Sequence, residues 1–110
     1  MLVLAGGLAA WCVDRVEVVG TSMSPTFAPG DRLVAIRRWR PLRQGDVVVL
    51  TDPTSPHRQI VKRVRAIDGA RATVLGDNEA ASTDSRSFGD VPVASIRHLV
   101  VRRYARGGGA

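Results

Sequence analysis

Ser22 sits in the stretch Gly20-Thr21-Ser22-Met23-Ser24-Pro25-Thr26-Phe27-Ala28-Pro29-Gly30-Asp31, directly after the β-branched run Val16-Glu17-Val18-Val19. The run reads as a strand. The two prolines and two glycines that follow forbid a continuous helix or strand. A serine where a strand gives way to a rigid turn can project its hydroxyl into a cleft, with its own backbone N–H beside it to receive an oxyanion. Ser, Thr, Gly and Pro are also what any turn contains. A serine hydroxyl is a weak nucleophile until a base takes its proton. The candidate base is Lys62, in Gln59-Ile60-Val61-Lys62-Arg63-Val64 among aliphatic neighbours. Lysine titrates near 10.4 in water, and apolar burial lowers that to about 5–6 in the deepest cases. A neutral amine can then take a serine proton. A lysine on a strand is more often solvent-facing, so the reading requires that this one point inward.

A third polar segment follows, Gly76-Asp77-Asn78-Glu79-Ala80-Ala81-Ser82-Thr83-Asp84-Ser85-Arg86-Ser87-Phe88-Gly89. It is dense in groups that cap and bridge backbone. Asp84 and Arg86 can pair and pin it, and the Ser82 hydroxyl can orient a lysine amine. His57 and His98 read as loop and strand-surface residues outside this chemistry.

The elements that must hold these residues are strands. Val16–Val19 is the first and Arg32–Arg37, which alternates, the second. Val47–Leu50 lacks alternation and reads as a strand covered on both faces. Asp52–His57, with two prolines, reads as a loop. Gln59–Ile67 is a long strand, Asp68-Gly69 a hairpin turn, and Ala72–Leu75 the return. A loop runs to Gly89, a short turn or helix lies near Pro92–Ser95, and Ile96–Tyr104 is the last strand. The expected fold is mostly β, a single small, strongly bent antiparallel sheet or barrel.

With 110 residues the chain forms one domain with a modest core. The single cysteine, Cys12, excludes an intrachain disulfide and a cysteine-based zinc site, and is expected to be a packing residue. The net charge is +6, and arginines cluster at Arg37-Arg38-Trp39-Arg40 with Arg43, and at Arg97, Arg102, Arg103 and Arg106. Trp39 among arginines has the composition of a membrane-interface patch; the alternative is a solvated basic surface. No nucleic-acid-binding signature accompanies the charge. Met1–Val13 holds no charged residue; it is too short for a bilayer span of about 20 residues and lacks a positive n-region. It is expected to be part of a membrane helix or a short interfacial segment, with packing on the domain as the alternative. The expected organisation is thus an apolar segment 1–13, a core 14–105 and a flexible tail 106–110.

Taken together and in order, Gly20-Thr21-Ser22-Met23-Ser24-Pro25-Thr26 with Gly30-Asp31, then Val61-Lys62-Arg63-Val64, then Gly76-Asp77-Asn78 with Ser82-Thr83-Asp84-Ser85-Arg86 and Phe88-Gly89, closely resemble type I signal peptidase and its S26 relatives. These include mitochondrial inner membrane proteases and small actinobacterial proteases associated with nickel superoxide dismutase maturation. The resemblance covers about residues 16–100. It implies the Ser/Lys fold and a serine endopeptidase that removes signal or leader peptides, cutting after small residues. Ser22 matches the nucleophile and Lys62 the general base. Ser82 matches the serine that orients the lysine, and Asp84 and Arg86 the buttressing pair. Asp77 matches the acidic residue of the Gly-Asp-Asn turn, and Met23 the methionine beside the nucleophile. Val18, Gly20, Met23 and Ile60 are the expected substrate-binding residues. No metal or cofactor is implied. The partners implied are precursor proteins and a membrane surface, with the site on the extracytoplasmic face, or in the cytoplasm for a dedicated maturation protease without an anchor.

Two features depart from the larger family members. Lys62 and Gly76 are only 76 − 62 = 14 positions apart, which leaves no room for the second domain that many bacterial signal peptidases insert there. Gly20 stands where some members place a hydroxyl that helps hold the oxyanion. Together with the short apolar N-terminal run, the minimal core favours a small, dedicated processing protease. A self-cleaving LexA-like domain shares the Ser-Met and lysine elements but lacks the third box. A catalytically silent binding module is the reading from another class.

Overall fold

The computed structural model describes residues 13–107. Valine and isoleucine, stiff at the first side-chain torsion, favour extended backbone. They make seven strands: β1 Val13–Glu17, β2 Arg32–Arg37, β3 Val47–Asp52, β4 Ser55–Asp68, β5 Arg71–Leu75, β6 Val91–Pro92 and β7 His98–Ala105. One short helix, α1, spans Ser85–Phe88, and single 3-10 turns occupy Glu79–Ala81 and Val93–Ser95. All strands join one antiparallel sheet in the order β1-β2-β7-β3-β4-β5-β6. The mostly β, antiparallel expectation is met.

The lack of alternation in β3 has its reason in two cores. Val48 and Leu50 pack with Ile60, Val64, Val74, Ile96 and Leu99 on one side. Val49 faces the other way, with Val18, Met23, Leu33, Ala35 and Val61. Since strand side chains alternate, β3 and β4 divide the two clusters between them. Lys62 takes the same strand parity as Ile60 and Val64, and is 4% exposed.

Several boundaries differ from expectation. The first strand is Val13–Glu17 rather than Val16–Val19. Val18 still pairs, its N–H donating to Asp31 O (2.8 Å) and its carbonyl accepting from Gly30 N–H (2.7 Å), but with the incoming loop rather than with β2. The two-proline segment Asp52–His57 is not a loop. Asp52 faces Ser55 across a tight turn, closed by Asp52 Oδ1 accepting from Thr54 N–H (2.8 Å) and Oγ1 (2.7 Å). The chain is therefore already in β4 at Ser55. The segment to Gly89 contains α1 and a 3-10 turn, and β6, too short to leave a pattern, caps the sheet edge beside β5. Among the described residues no helix is long and apolar enough to cross a membrane. The expectations for Met1–Cys12 and Gly108–Ala110, including that for Cys12, lie outside the described residues.

Candidate active site

The turn after β1 is built from local hydrogen bonds. Ser24 N–H donates to Thr21 O (3.1 Å) and Phe27 N–H to Met23 O (2.9 Å). Gly20 has φ of 77°, a conformation that a side chain disfavours, which accounts for glycine at the position where a hydroxyl donor is absent. Met23, 1% exposed, roots the turn in the core. Ser22 is half-buried, and neither its N–H nor its Oγ donates a hydrogen bond among the described residues.

A cleft of about 360 Å³ opens at this turn. One wall runs from Val16 to Met23 and includes Ser22, and the other from Arg58 to Lys62 on β4; Asp52, Ala81 and Thr83 complete it. Two backbone edges line it: β1 pairs only with β2, and β5 pairs with β4 only from Arg63 onward. The expected substrate-binding residues Val18, Gly20, Met23 and Ile60 all line this cleft. Exposed Val19 and the charged pair Asp52 and Arg58 line it too, and sequence reasoning did not single out either of those charges.

Lys62 Nζ donates to Ser82 Oγ (3.1 Å), and Ser82 Oγ donates to Asp84 Oδ2 (2.6 Å). Burial pulls the Lys62 pKa down from the ordinary 10.5; the Asp84 carboxylate pushes it back up, and the net direction is down. Asp84 is fully buried. It accepts from Gly76 N–H (2.8 Å), from Arg86 N–H (3.1 Å) and from Arg86 Nε and Nη2 (3.0 and 2.7 Å) as well as from Ser82. Burial alone raises the pKa of such a carboxylate; the Arg86, Ser82 and backbone donors outweigh it and hold Asp84 far below the usual range. An ionised carboxylate only accepts, so the Ser82 hydroxyl must point at Asp84 and its oxygen must face the lysine. That leaves the lone pair of a neutral Lys62 free to face the cleft.

The third segment is also bound to the Ser22 turn. Asn78 N–H donates to Ser22 O (2.8 Å) and Asn78 Nδ2 to Thr21 O (3.1 Å). Asp77 takes paired bonds from Arg63 Nε and Nη2, each 2.9 Å, and a 2.6 Å bond from Thr26 Oγ1. Asp77 thus links the turn to β4 next to Lys62, and Asn78, Arg63 and Thr26 join the residues that hold the site. The alternation of β4, which turns Arg63 away from Lys62, was the available signal for Arg63. Gly76 is hemmed in: a Cβ there would collide with the Ser82 hydroxyl and lie 2.7 Å from Ser22 O. Exposed His57 and half-buried His98 line no part of the cleft. Among the described residues no cluster of side chains suits a metal ion.

Comparison with known proteins identifies the family. The family model described as signal peptidase, peptidase S26, matches residues 1–74, which hold Ser22 and Lys62 and stop short of Ser82, Asp84 and Arg86. The mitochondrial ATP-independent inner membrane protease subunit 1a of Arabidopsis thaliana is 32% identical over 119 aligned residues, covering 84% of this chain and 71% of the relative. The mitochondrial inner membrane protease subunit 2 of Mus musculus is 33% identical over 110 residues, covering 77% and 62%. Subunit 1 of the Homo sapiens protease is 30% identical over 101 residues, covering 71% and 61%. The chain therefore spans just over three fifths of each of these two mammalian relatives.

Proposed function

The chain belongs to the S26 signal peptidase family, and on that premise we propose that it is a serine endopeptidase with a Ser22/Lys62 dyad that removes signal or leader peptides from precursor proteins, cutting after small residues. The observation that carries this is the relay Lys62–Ser82–Asp84 at one wall of the cleft, with Ser22 on the facing wall. Neutral Lys62 takes the Ser22 proton as Oγ attacks the scissile carbonyl. The Ser22 N–H, without a partner among the described residues, receives the oxyanion. The Lys62 ammonium protonates the leaving amine, the acyl-enzyme forms, and Lys62 then activates the water that hydrolyses it. Ser82 holds the amine in line throughout. The precursor binds extended between the two open backbone edges, and Val18, Gly20, Met23 and Ile60 form the shallow walls that favour small side chains.

The narrow alternative is a maturation protease for one precursor. The short β4–β5 hairpin, which fills the whole span from Lys62 to Gly76, favours it, because no inserted domain widens the binding surface within that span. One experiment addresses both. The full chain, with lipid, is incubated with an Ala-x-Ala precursor peptide, and products are read by mass spectrometry beside Ser22→Ala and Lys62→Met. Cleavage after the small residue, lost by about 10⁴-fold or more in both variants, is the expected result. A folded wild type that leaves the peptide intact overturns the broad-specificity reading and leaves the dedicated one. Full activity in Lys62→Met overturns the dyad.

A further inference from the structure

The connection between β2 and β3 carries a surface that the cleavage chemistry does not use. Trp39 is 60% exposed there. The Arg40 guanidinium lies over its indole, 5.6 Å from the ring centroid, while gripping Asp46 through two 3.0 Å bonds. Arg38 donates to Ile96 O (3.1 Å) and Arg40 O (3.3 Å), which pins the loop to the chain leading into β7. The tryptophan is therefore held outward by its neighbours. Arg37, Arg43 and Arg97 are exposed, and Arg37, Arg38 and Arg97 share a hollow with it. The loop's one carboxylate, Asp46, is already matched by Arg40.

Register adds the second observation. Val13 pairs with Ile36, so the chain enters β1 beside the end of β2 from which this loop springs. Residues 1–12, which lead into Val13, carry no charged side chain. The loop thus lies at the end of the sheet where the chain enters β1, and Ser22 follows the opposite end of β1. We propose that the 37–43 loop with Arg97 docks on an anionic phospholipid bilayer, with Trp39 seated at headgroup level. Tryptophan settles at that depth because its ring is apolar and its N–H polar. Guanidinium groups match phosphate geometry, and their attraction acts within a Debye length of about 8 Å at physiological salt. The exposed indole and the uncharged composition of the residues that precede Val13 in the sequence favour lipid over the phosphates of a nucleic acid. In this orientation Ser22 stands off the bilayer by roughly the length of β1, about 15 Å at a rise of about 3.3 Å per residue. The surface adds a lipid contact to the protease reading, and its test reads that contact rather than cleavage, so either can fail alone.

In the full chain, Trp11→Phe leaves Trp39 as the sole tryptophan. Its emission is followed on titration with phosphatidylcholine vesicles, with and without phosphatidylglycerol, and with a short DNA duplex. Arg43→Ala with Arg97→Ala forms the comparison, since both residues enter the hydrogen bonding of the described chain through backbone atoms alone. The expected result is a blue shift and reduced iodide quenching on anionic vesicles only, with affinity about tenfold or more weaker in the double variant. Sedimentation with vesicles while Trp39 emission stays unchanged overturns the proposal, as does equal affinity in the double variant or an absence of vesicle binding. A shift with the duplex but not with vesicles assigns the patch to nucleic acid instead.

Discussion

Ser82 decides what Lys62 can do, because its single proton is committed to Asp84 and its oxygen is left for the amine. A lysine so held and buried has a pKa below 10.5, and the proposed reaction needs its neutral form. The rate of peptide cleavage is therefore expected to rise with pH through one limb that lies below the ordinary lysine value. Asp84 is the charge that pushes this pKa upward, so in Asp84→Asn the limb of whatever activity survives is expected to move to lower pH; a move to higher pH sinks the electrostatic account. Linkage gives a second expectation. Between its folded pKa and 10.5, Lys62 binds fewer protons folded than unfolded, so folding stability rises with pH across that window. Lys62→Met removes the cost of a charged amine among aliphatic neighbours. Urea unfolding at neutral pH should find the variant as stable as the parent or more so, with its pH slope in that window gone.

At the scale of elements, the segment from Gly76 to Gly89 brings the two halves of the site together. Asp84 caps α1 by accepting from Arg86 N–H, and the same carboxylate receives Gly76 N–H and the Ser82 hydroxyl. Gly76 lies where Ser82 and the carbonyl of Ser22 converge. Gly76→Ala is expected to force these apart, costing about 1–3 kcal/mol of stability and about 10²-fold or more in kcat, the usual price of a 1 Å misplacement. Wild-type kinetics in that variant contradict the packing described here. Much of this was legible beforehand. Alternation marked β2 and an unbroken aliphatic run marked β3, and the order of polar groups in the third segment pointed to Ser82, Asp84 and Arg86. What escaped was carried by particular hydrogen bonds, most of them to partners distant in sequence. β1 ends at Glu17 because Asp31 and Gly30 capture the backbone of Val18. Thr54 turns the two-proline segment into a tight hairpin by bonding Asp52. Asn78 and Thr26 act through backbone and side-chain bonds to segments more than 50 positions away, which no local pattern announces.

At the scale of the molecule, the sheet order matters more than any single strand. β7, last in the chain, lies between β2 and β3. Ser22 belongs to the β1–β2 side and Lys62 to the β3–β4–β5 side, so the facing walls of the cleft are joined through β7. Its far end also grips the Ser22 turn: Arg103 Nη1 reaches Asp31 Oδ2 (3.3 Å), and Gly107 N–H donates to Asp31 Oδ1 (2.8 Å). Leu99 is the seam, paired with Ile36 on one side and Val48 on the other and 2% exposed. Leu99→Ala leaves a cavity in the core cluster that Leu99 shares with Val48 and Ile96, and is expected to cost about 2–5 kcal/mol, lowering Tm by about 4–8 °C for each kcal/mol. Leu99 lines no part of the cleft. Well below the new Tm, activity per folded molecule should therefore stay within about twofold of the parent, a range consistent with intact geometry. Lys62→Met has the inverse signature, with stability kept and activity lost. If Leu99→Ala instead loses activity in step with Lys62→Met while still folded, the seam and the dyad are not separable, and the cleft depends on β7 for more than its assembly.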